Sequence, residues 1–261
     1  MASTMTTAYG RLLDEDIPGA VNFRDLGGLR TATGATIRHG QLFRAGMTNH
    51  IAPEGLKQLR DAYGLRTVID FRGPVELEKD GVGAFAEYGI AHRNLPVVGS
   101  TALTPDEQKV RLDRMRSGKH DWFESYQFMV TEKAEAFVSF FAILAEDGAL
   151  PAVFHCAGGR DRTGIAAALV LGVLGVPGEV ITHDYARTGE YLMPHVSRFA
   201  RHMEQMSFTH DEFARLLATT PEPMERFLAW IGAQHGSVTA FVEALGVPSA
   251  TVGTVRERLL G

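Results

Sequence analysis

The chain carries a single cysteine in 261 residues. An intramolecular disulfide is excluded, and a reducing setting, the cytoplasm, is expected. Long apolar runs are also missing. The longest, Ile165 to Val176, is too short to span a bilayer and reads as a buried helix, so no membrane insertion is expected. The first twenty residues, MASTMTTAYGRLLDEDIPGA, lack a basic stretch followed by an apolar one. No signal peptide is read there, and export by another route stays open. Positive charge is not in excess: 26 Lys and Arg face 31 Asp and Glu, a net charge of −5. That argues against nucleic acid as a partner but permits a local basic pocket for a small anion. The ten histidines are scattered, with no His-Glu-x-x-His, no paired Cys ligands and no Gly-x4-Gly-Lys-Ser/Thr. No metal and no other cofactor is expected.

What is present is ordinary for a soluble globular chain: 45% hydrophobic and 22% charged residues, enough to build a sizeable core. No repeat, low-complexity tract or linker divides it, so residues 1–261 read as one domain with a flexible N-terminus over 1–15. The stretch 28–46 reads as strands broken by a turn at Thr33-Gly34. Leu56, Leu59 and Tyr63 recur at helical spacing and Gly64 supplies a stop; 65–72 then reads as a buried strand ended by Pro74, and 90–98 as another. A helix over 133–148, a strand over 149–155 and a helix ended by Pro177 follow. Helix and buried strand in alternation indicate an α/β fold with a central, mostly parallel sheet flanked by helices. From Glu179 onward the chain reads as helical, with a capping box at Thr209–Glu212. Residues 99–131 differ. A capping box at Thr104–Glu107 opens a charged, weakly amphipathic stretch carrying Arg111, Arg114, Arg116 and Lys119. It is either a solvated surface helix or a lid over a site.

The lone Cys sits in FHCAGGRDRTG, residues 154–164, between a buried strand and a helix. The two glycines permit backbone conformations closed to other residues. A tight loop feeding a helix turns several N–H groups inward and adds the helix dipole, which makes a cradle sized for a tetrahedral oxyanion. That field also favours thiolate, the nucleophilic form of Cys156. Arg162, six positions on, presents a planar fork to two phosphate oxygens. The Thr163 hydroxyl reaches toward the sulfur, and Asp161 sits on the rim, either as an acid for a leaving oxygen or as an ion-pair partner of Arg160 or Arg162. His155 points away from Cys156 along an extended chain and packs or supports the loop. The parts compose a phosphomonoester hydrolysis through a cysteinyl-phosphate intermediate.

Cys-x5-Arg with His before it and Thr-Gly after it resembles the signature loop of the protein tyrosine phosphatase superfamily. HCAGGRDRTG is similar to the His-Cys-x-x-Gly-Lys-Asp-Arg-x-Gly loop of its bacterial tyrosine/serine and phosphoinositide phosphatases. PGAVNFRDLGGLRTATGATIRHGQLFRAG (18–46), TVIDFRGPVELEKDG (67–81) and ITHDYARTGEYL (181–192) extend the resemblance over roughly residues 16–260. It implies a phosphatase-like α/β fold with a helical lid insertion at 99–131 and a helical C-terminal part. It implies Cys156 as nucleophile, Arg162 as phosphate clamp, backbone amides from Ala157, Gly158, Gly159, Arg160, Asp161 and Arg162, and Asp161 as general acid. Asp70, ending the TVIDFR strand, is the alternative acid or a structural carboxylate near the loop. Arg160 stands where the family has Lys, the residue associated with inositol phosphates. In NFRDLGG (22–28), Arg24 and Asp25 read as a structural ion pair and Gly27-Gly28 as a turn, with a brace for the Cys loop as the functional alternative.

The implied substrate is a phosphorylated protein, tyrosine or dual specificity, with a phosphoinositide or a small metabolite such as a nucleotide as the alternative. Two more distant readings are a rhodanese-like sulfurtransferase, whose loops lack the Arg-Thr-Gly ending, and a non-catalytic phosphate-binding module.

Overall fold

β-Branched and aromatic residues mark the central strands, with Thr67, Val68 and Ile69 in one, Val153 and Phe154 in another and Phe43 in a third. The computed structural model describes residues 11–97 and 104–261. Its strands there are Arg11–Leu12 (β1), Arg24–Asp25 (β2), Leu42–Ala45 (β3), Thr67–Asp70 (β4), Ala91–Asn94 (β5) and Ala152–His155 (β6). They lie in the order β1-β2-β3-β6-β4-β5. The pairs β3–β6, β6–β4 and β4–β5 are parallel, and β1–β2–β3 are antiparallel. The fold is α/β with a mostly parallel sheet.

The helices are Pro53–Asp61 (α1), Pro74–Asp80 (α2), Pro105–Arg116 (α3), Trp122–Glu132 (α4), Ala134–Ala145 (α5) and Asp161–Val173 (α6). Gly178–Leu192 (α7), Ala200–Met206 (α8), His210–Leu217 (α9), Glu222–His235 (α10), Val238–Ala244 (α11) and Ser249–Leu259 (α12) complete the set, with 3-10 turns at Phe85–Tyr88 and Met193–Phe199. No helix among the described residues is long and apolar enough to cross a membrane.

Central strands are buried on both faces, so their residues alternate between two cores. Leu42, Ile69, Ala152 and Phe154 pack with α4 to α7 and α10 to α12. Phe43, Val68 and Val153 pack on the other face with Leu56 and Leu59 of α1 and Phe85. A third cluster joins Val21 and Met47 to Leu192, Phe199, Phe213 and Leu217 of the C-terminal helices, with Leu112 and Met115 of α3 against it. Register aligns Ala45, His155 and Asp70 across β3, β6 and β4. The loop from β6 to α6 thus leaves the carboxyl edge of the parallel strands, where open α/β sheets form their crevice.

Several boundaries differ from the sequence expectation. The chain is already placed at Arg11: β1 pairs with β2, Leu13 is buried, and Asp14 accepts from the Asn22 and Phe23 amides at 2.7 and 2.6 Å. A flexible stretch through residue 15 is therefore corrected from residue 11 on; residues 1–10 lie outside the described residues. The Thr33-Gly34 turn closes a single bridge, Arg30 to Thr36, rather than two strands. Gly64, at φ 64°, closes the end of α1 with the Leu65 amide on the Leu59 carbonyl at 2.9 Å. α6 begins at Asp161, so Asp161 and Arg162 belong to its first turn rather than to the loop. Within 99–131, residues 99–103 are outside the described residues. The rest is not uniformly solvated: α3 is largely exposed, but α4 buries Tyr126, Met129 and Val130 in the main core.

A buried ion triad ties the antiparallel edge to α7. Arg24 Nε and Arg44 Nη1 donate to the two oxygens of Asp184 at 2.7 and 2.5 Å, and Arg24 Nη2 also reaches the Asp184 carbonyl at 2.9 Å. Arg24 does not pair with Asp25, correcting the expected ion pair. Neighbouring strand residues face opposite ways, and Asp25 instead accepts from the Gly27 and Gly40 amides at 2.8 and 2.9 Å. Burial alone would raise the Asp184 pKa; Arg24 and Arg44 outweigh it and hold it down at about 2. A carboxyl depressed on folding stabilises the protein above its unfolded pKa, and that stabilisation is lost as pH falls through the folded value. Unfolding free energy is expected to drop by roughly 2 kcal/mol from this group between pH ~4 and ~2. Asp184→Asn is expected to cost about 3–5 kcal/mol at neutral pH, because two buried cations lose their partner, and to flatten that acid drop. Chemical denaturation across pH checks both; parallel acid profiles in the two proteins contradict the assignment.

Candidate active site

Cys156 follows β6 directly and is 2% exposed. The carbonyls of the next three residues are all held from outside the loop. The Ala157 carbonyl accepts from the Met47 amide at 2.8 Å, and Gly158 from Asn22 Nδ2 at 3.0 Å. Gly159 accepts from Arg44 Nη2 at 2.7 Å and from Asn22 Nδ2 at 3.4 Å. With the carbonyls fixed outward, the amides of Ala157 to Arg162 make no hydrogen bond to the described residues. Unpaired N–H groups at a helix N-terminus form an anion site. Asn22 takes its place at φ 54°, a conformation that Asn tolerates better than most residues, and its Oδ1 accepts from Arg24 Nη1. The brace reading of NFRD therefore describes Asn22 and Arg24, which the ion triad holds.

Arg162 lies in the first turn of α6, and its Nη1 and Nη2 fork onto Glu76 at 2.6 and 2.7 Å. Glu76 also caps α2 by accepting from the Gly73 amide at 2.8 Å. Arg162 Nε makes no bond among the described residues, so the Nε–Nη2 edge is left for a second planar pair with phosphate oxygens. Asp161 pairs with Arg160 and not with Arg162: Arg160 Nε donates to Asp161 Oδ1 at 3.0 Å. Tyr126 donates to the same oxygen at 2.6 Å, with the Tyr185 hydroxyl 2.6 Å from Tyr126 Oη. Asp161 Oδ2 has no partner among the described residues.

These groups face a cavity of about 530 Å³. Cys156, Ala157, Gly158, Arg160, Asp161, Arg162 and Glu76 line its floor. α3 and α4 supply one wall, with Arg111, Trp122 and Phe128, and Leu192, Phe199, Phe213 and Leu217 supply the other. Arg160 lines the cavity, but its guanidinium is already engaged. It stacks 4.1 Å over Trp122, donates to the Leu216 carbonyl and holds Asp161. Its Nη2 alone has no hydrogen-bond partner among the described residues.

His155, Thr163 and Asp70 lie outside the cavity lining. His155 is fully buried, and burial holds its pKa down at about 4, so the ring is neutral near pH 7. Its Nδ1 is 3.2 Å from the Cys156 carbonyl and its Nε2 3.2 Å from Thr48 Oγ1. It supports the loop from behind. The Thr163 hydroxyl is buried with no hydrogen-bond partner, so the expected bond to Sγ is not formed in this structure. Asp70 is corrected as an acid candidate. It is fully buried and accepts from Arg72 Nε and Nη2 at 3.0 and 2.7 Å and from His92 at 3.2 Å. Burial opposes its charge, but His155, His92 and Arg72 outweigh that and keep the carboxyl well below the usual range. A carboxyl that stays ionised has no proton to give.

The model of the tyrosine phosphatase family matches residues 15–261. The chain belongs to the tyrosine phosphatase family. It is 35% identical over 174 residues to a putative tyrosine-protein phosphatase of Cupriavidus necator, and spans 60% of the length of that relative. It is 26% identical over 279 residues to the triple specificity protein phosphatase PtpB of Mycobacterium tuberculosis, covering 94% of this chain and 99% of that one. Among solved structures, the catalytic core of the PP-IP phosphatase SIW14 from S. cerevisiae aligns with a TM-score of 0.40 and 15% identity over 77% of this chain and 92% of that one. TpbA of P. aeruginosa aligns with a TM-score of 0.36 and 14% identity over 87% of this chain and 99% of that one.

Around this loop, sequence reasoning missed residues that hold the floor from elsewhere: Glu76, Tyr126, Arg44 and Asp184. For Glu76 a local signal existed, since Pro74 at a helix start followed two residues later by Glu marks a capping position. The others had none. Sequence reasoning also treated the two glycines alike. Gly159 is at φ 68°, and a Cβ there would lie 2.3 Å from the Ala45 carbonyl oxygen; at Gly158 it would meet only Leu192 Cδ1 at 3.6 Å. Gly159→Ala is expected to cost at least ~1–2 kcal/mol from backbone conformation alone and to weaken vanadate binding. Gly158→Ala is expected to shift stability by less than ~0.5 kcal/mol. Denaturation midpoints and vanadate titration check this; equal destabilisation by both contradicts the loop geometry.

Proposed function

We propose that this protein is a phosphomonoester hydrolase that works through a cysteinyl-phosphate intermediate, with phosphotyrosine-bearing proteins as its first substrate class and dual specificity within reach. The observation that carries the reading is the placement of Cys156 beneath six unpaired amides, with the free edge of Arg162 beside them. In the first step the Cys156 thiolate attacks phosphorus, the phosphorus–oxygen ester bond breaks, and Asp161 gives its proton to the leaving oxygen. Arg162 and the loop amides hold the three equatorial oxygens, where charge gathers in the transition state. In the second step Asp161 takes a proton from water, which attacks phosphorus. The sulfur–phosphorus bond breaks, and inorganic phosphate and thiolate are regenerated.

The aromatic walls, Trp122, Phe128 and Phe199, favour an aryl ester over a small alkyl one. Phosphoinositides and small metabolites such as nucleotides form the alternative class, which the triple specificity of the mycobacterial relative supports. α3 and α4 are part of the same proposal, as the segment that covers the bound ester and excludes water.

Phosphate release from a phosphotyrosine peptide, a phosphoinositide and a nucleoside monophosphate, measured together, tests the reading. Turnover of the peptide is expected to exceed the others, to vanish in Cys156→Ser, and to fall about 10²–10³-fold in Arg162→Lys. Turnover retained by Cys156→Ser contradicts the covalent route. Turnover of the phosphoinositide or nucleotide alone moves the assignment to the alternative class.

A further inference from the structure

Three guanidiniums line the cavity, and they are not equivalent. Arg162 is forked onto Glu76. Arg160 is held by Asp161, the Leu216 carbonyl and the Trp122 ring. Arg111, midway along α3, is half-buried in the wall and has no ion pair, hydrogen bond or ring contact among the described residues. No carboxylate of the lining forms an ion pair with it among the described residues. Arg162 takes Glu76, Arg160 and Tyr126 take one oxygen of Asp161, whose charge acts on Arg111 only through space, and Glu124 sits on the exposed side of α4 without a bond to it.

The remaining basic residues of the segment are placed differently. Lys109, Arg114 and Lys119 are exposed and outside the lining. Arg116 turns to the far side of α3, where it pairs with Asp113 at 2.7 Å and donates to the Met206 and Ser207 carbonyls at 3.4 and 3.3 Å. Of the five, Arg111 alone lines the cavity. A partly desolvated cation with no carboxylate in contact is stabilised when something anionic fills the space before it. Burial, with Arg162 adding like charge, lowers its pKa, while Asp161 only partly offsets this. Beside it His120 is kept neutral, its pKa pushed down to about 4 by burial and by the Arg111 charge. The neighbouring ring therefore adds no second cation at neutral pH.

We propose that Arg111 is the specificity residue of this site and receives a second anionic group, a phosphate or a carboxylate, carried by the same substrate whose phosphoryl group lies over Cys156. The inference rests on the phosphatase reading and sharpens it. The site takes phosphomonoesters bearing a further acid, met by a helix that also forms the wall. Arg160 keeps Nε on Asp161, Nη1 on the Leu216 carbonyl and its plane on Trp122, whereas Arg111 has none of its donors engaged among the described residues.

Two matched pairs of substrates test this with the full chain. One is a phosphotyrosine peptide with Glu or Gln beside the phosphotyrosine. The other is 1,3-phenylene bisphosphate against 3-methoxyphenyl phosphate. The wild-type protein is expected to favour the acid-bearing member by about tenfold in kcat/KM, mostly through KM, as one charge-assisted pair allows. Arg111→Ala is expected to abolish that ratio and Arg111→Lys to keep part of it; their melting temperatures report whether each has folded. Loss of the ratio for the peptides alone assigns the second anion to a protein side chain, loss for the phenylene pair alone to a second phosphate on a small molecule, and loss for both to either source. A ratio near one in the wild type, or a ratio that survives Arg111→Ala, overturns the inference while leaving the phosphatase reading intact. No turnover of any of the four above the Cys156→Ser blank overturns the phosphatase reading and this inference with it.

Discussion

The loop after β6 can present its amides inward only because its carbonyls are anchored outward, and that anchoring rests on one buried carboxylate. Asp184 grips Arg24 and Arg44; Arg44 then reaches the Gly159 carbonyl, and Arg24 fixes Asn22, which holds Gly158 and Gly159. Two buried cations and one buried anion are costly to desolvate, and the remaining donors offset part of that cost through Asn22, Thr188 and the Asp184 and Gly159 carbonyls, while Arg44 Nε stays without a partner among the described residues. The network spans β2, β3 and α7 and fixes the backbone at the cradle far more tightly than the loop's own residues could.

The rest of the site hangs from that frame by the same logic of paired charges. Glu76 orients Arg162 while leaving one edge of its fork open, and Tyr126 with Arg160 fixes one oxygen of Asp161 while leaving the other without a partner. In both cases a second group consumes part of a side chain's bonding capacity and thereby directs the remainder into the cavity. Arg111 is the exception, a cation of the wall with no such partner among the described residues, and it marks where the site has bonding capacity left to offer a ligand.

Local sequence carried the centre of this account. Cys156 and Arg162 sit six residues apart between a buried strand and an apolar helix, and both their order and their meeting at the strand end could be read from that spacing. The capping boxes at Thr104 and Thr209 and the alternation that built the parallel sheet were legible for the same reason. What could not be read were contacts closed by the fold across long separations, such as Arg24 with Asp184 or Arg162 with Glu76. Arg24 was misassigned to Asp25 because adjacency in sequence looks like proximity, whereas on a strand it places side chains on opposite faces. Asp70 drew attention as an acid candidate because a carboxylate ending a strand near the loop resembles one; only burial against Arg72 and two imidazoles shows it is structural. The start of α6 at Asp161 was not legible, because the loop's polar residues hide the start of the helix.

The central claim is that phosphorus passes through the sulfur of Cys156. The most direct measurement is rapid acid quench of the wild-type protein during turnover of an aryl phosphate, followed by mass spectrometry of the peptide that contains residue 156. The account predicts a phosphoryl group on Cys156 that builds within the first turnover and decays as substrate is exhausted. Steady turnover with an unmodified Cys156 at every quench time, or a phosphoryl group on a different residue, would contradict it.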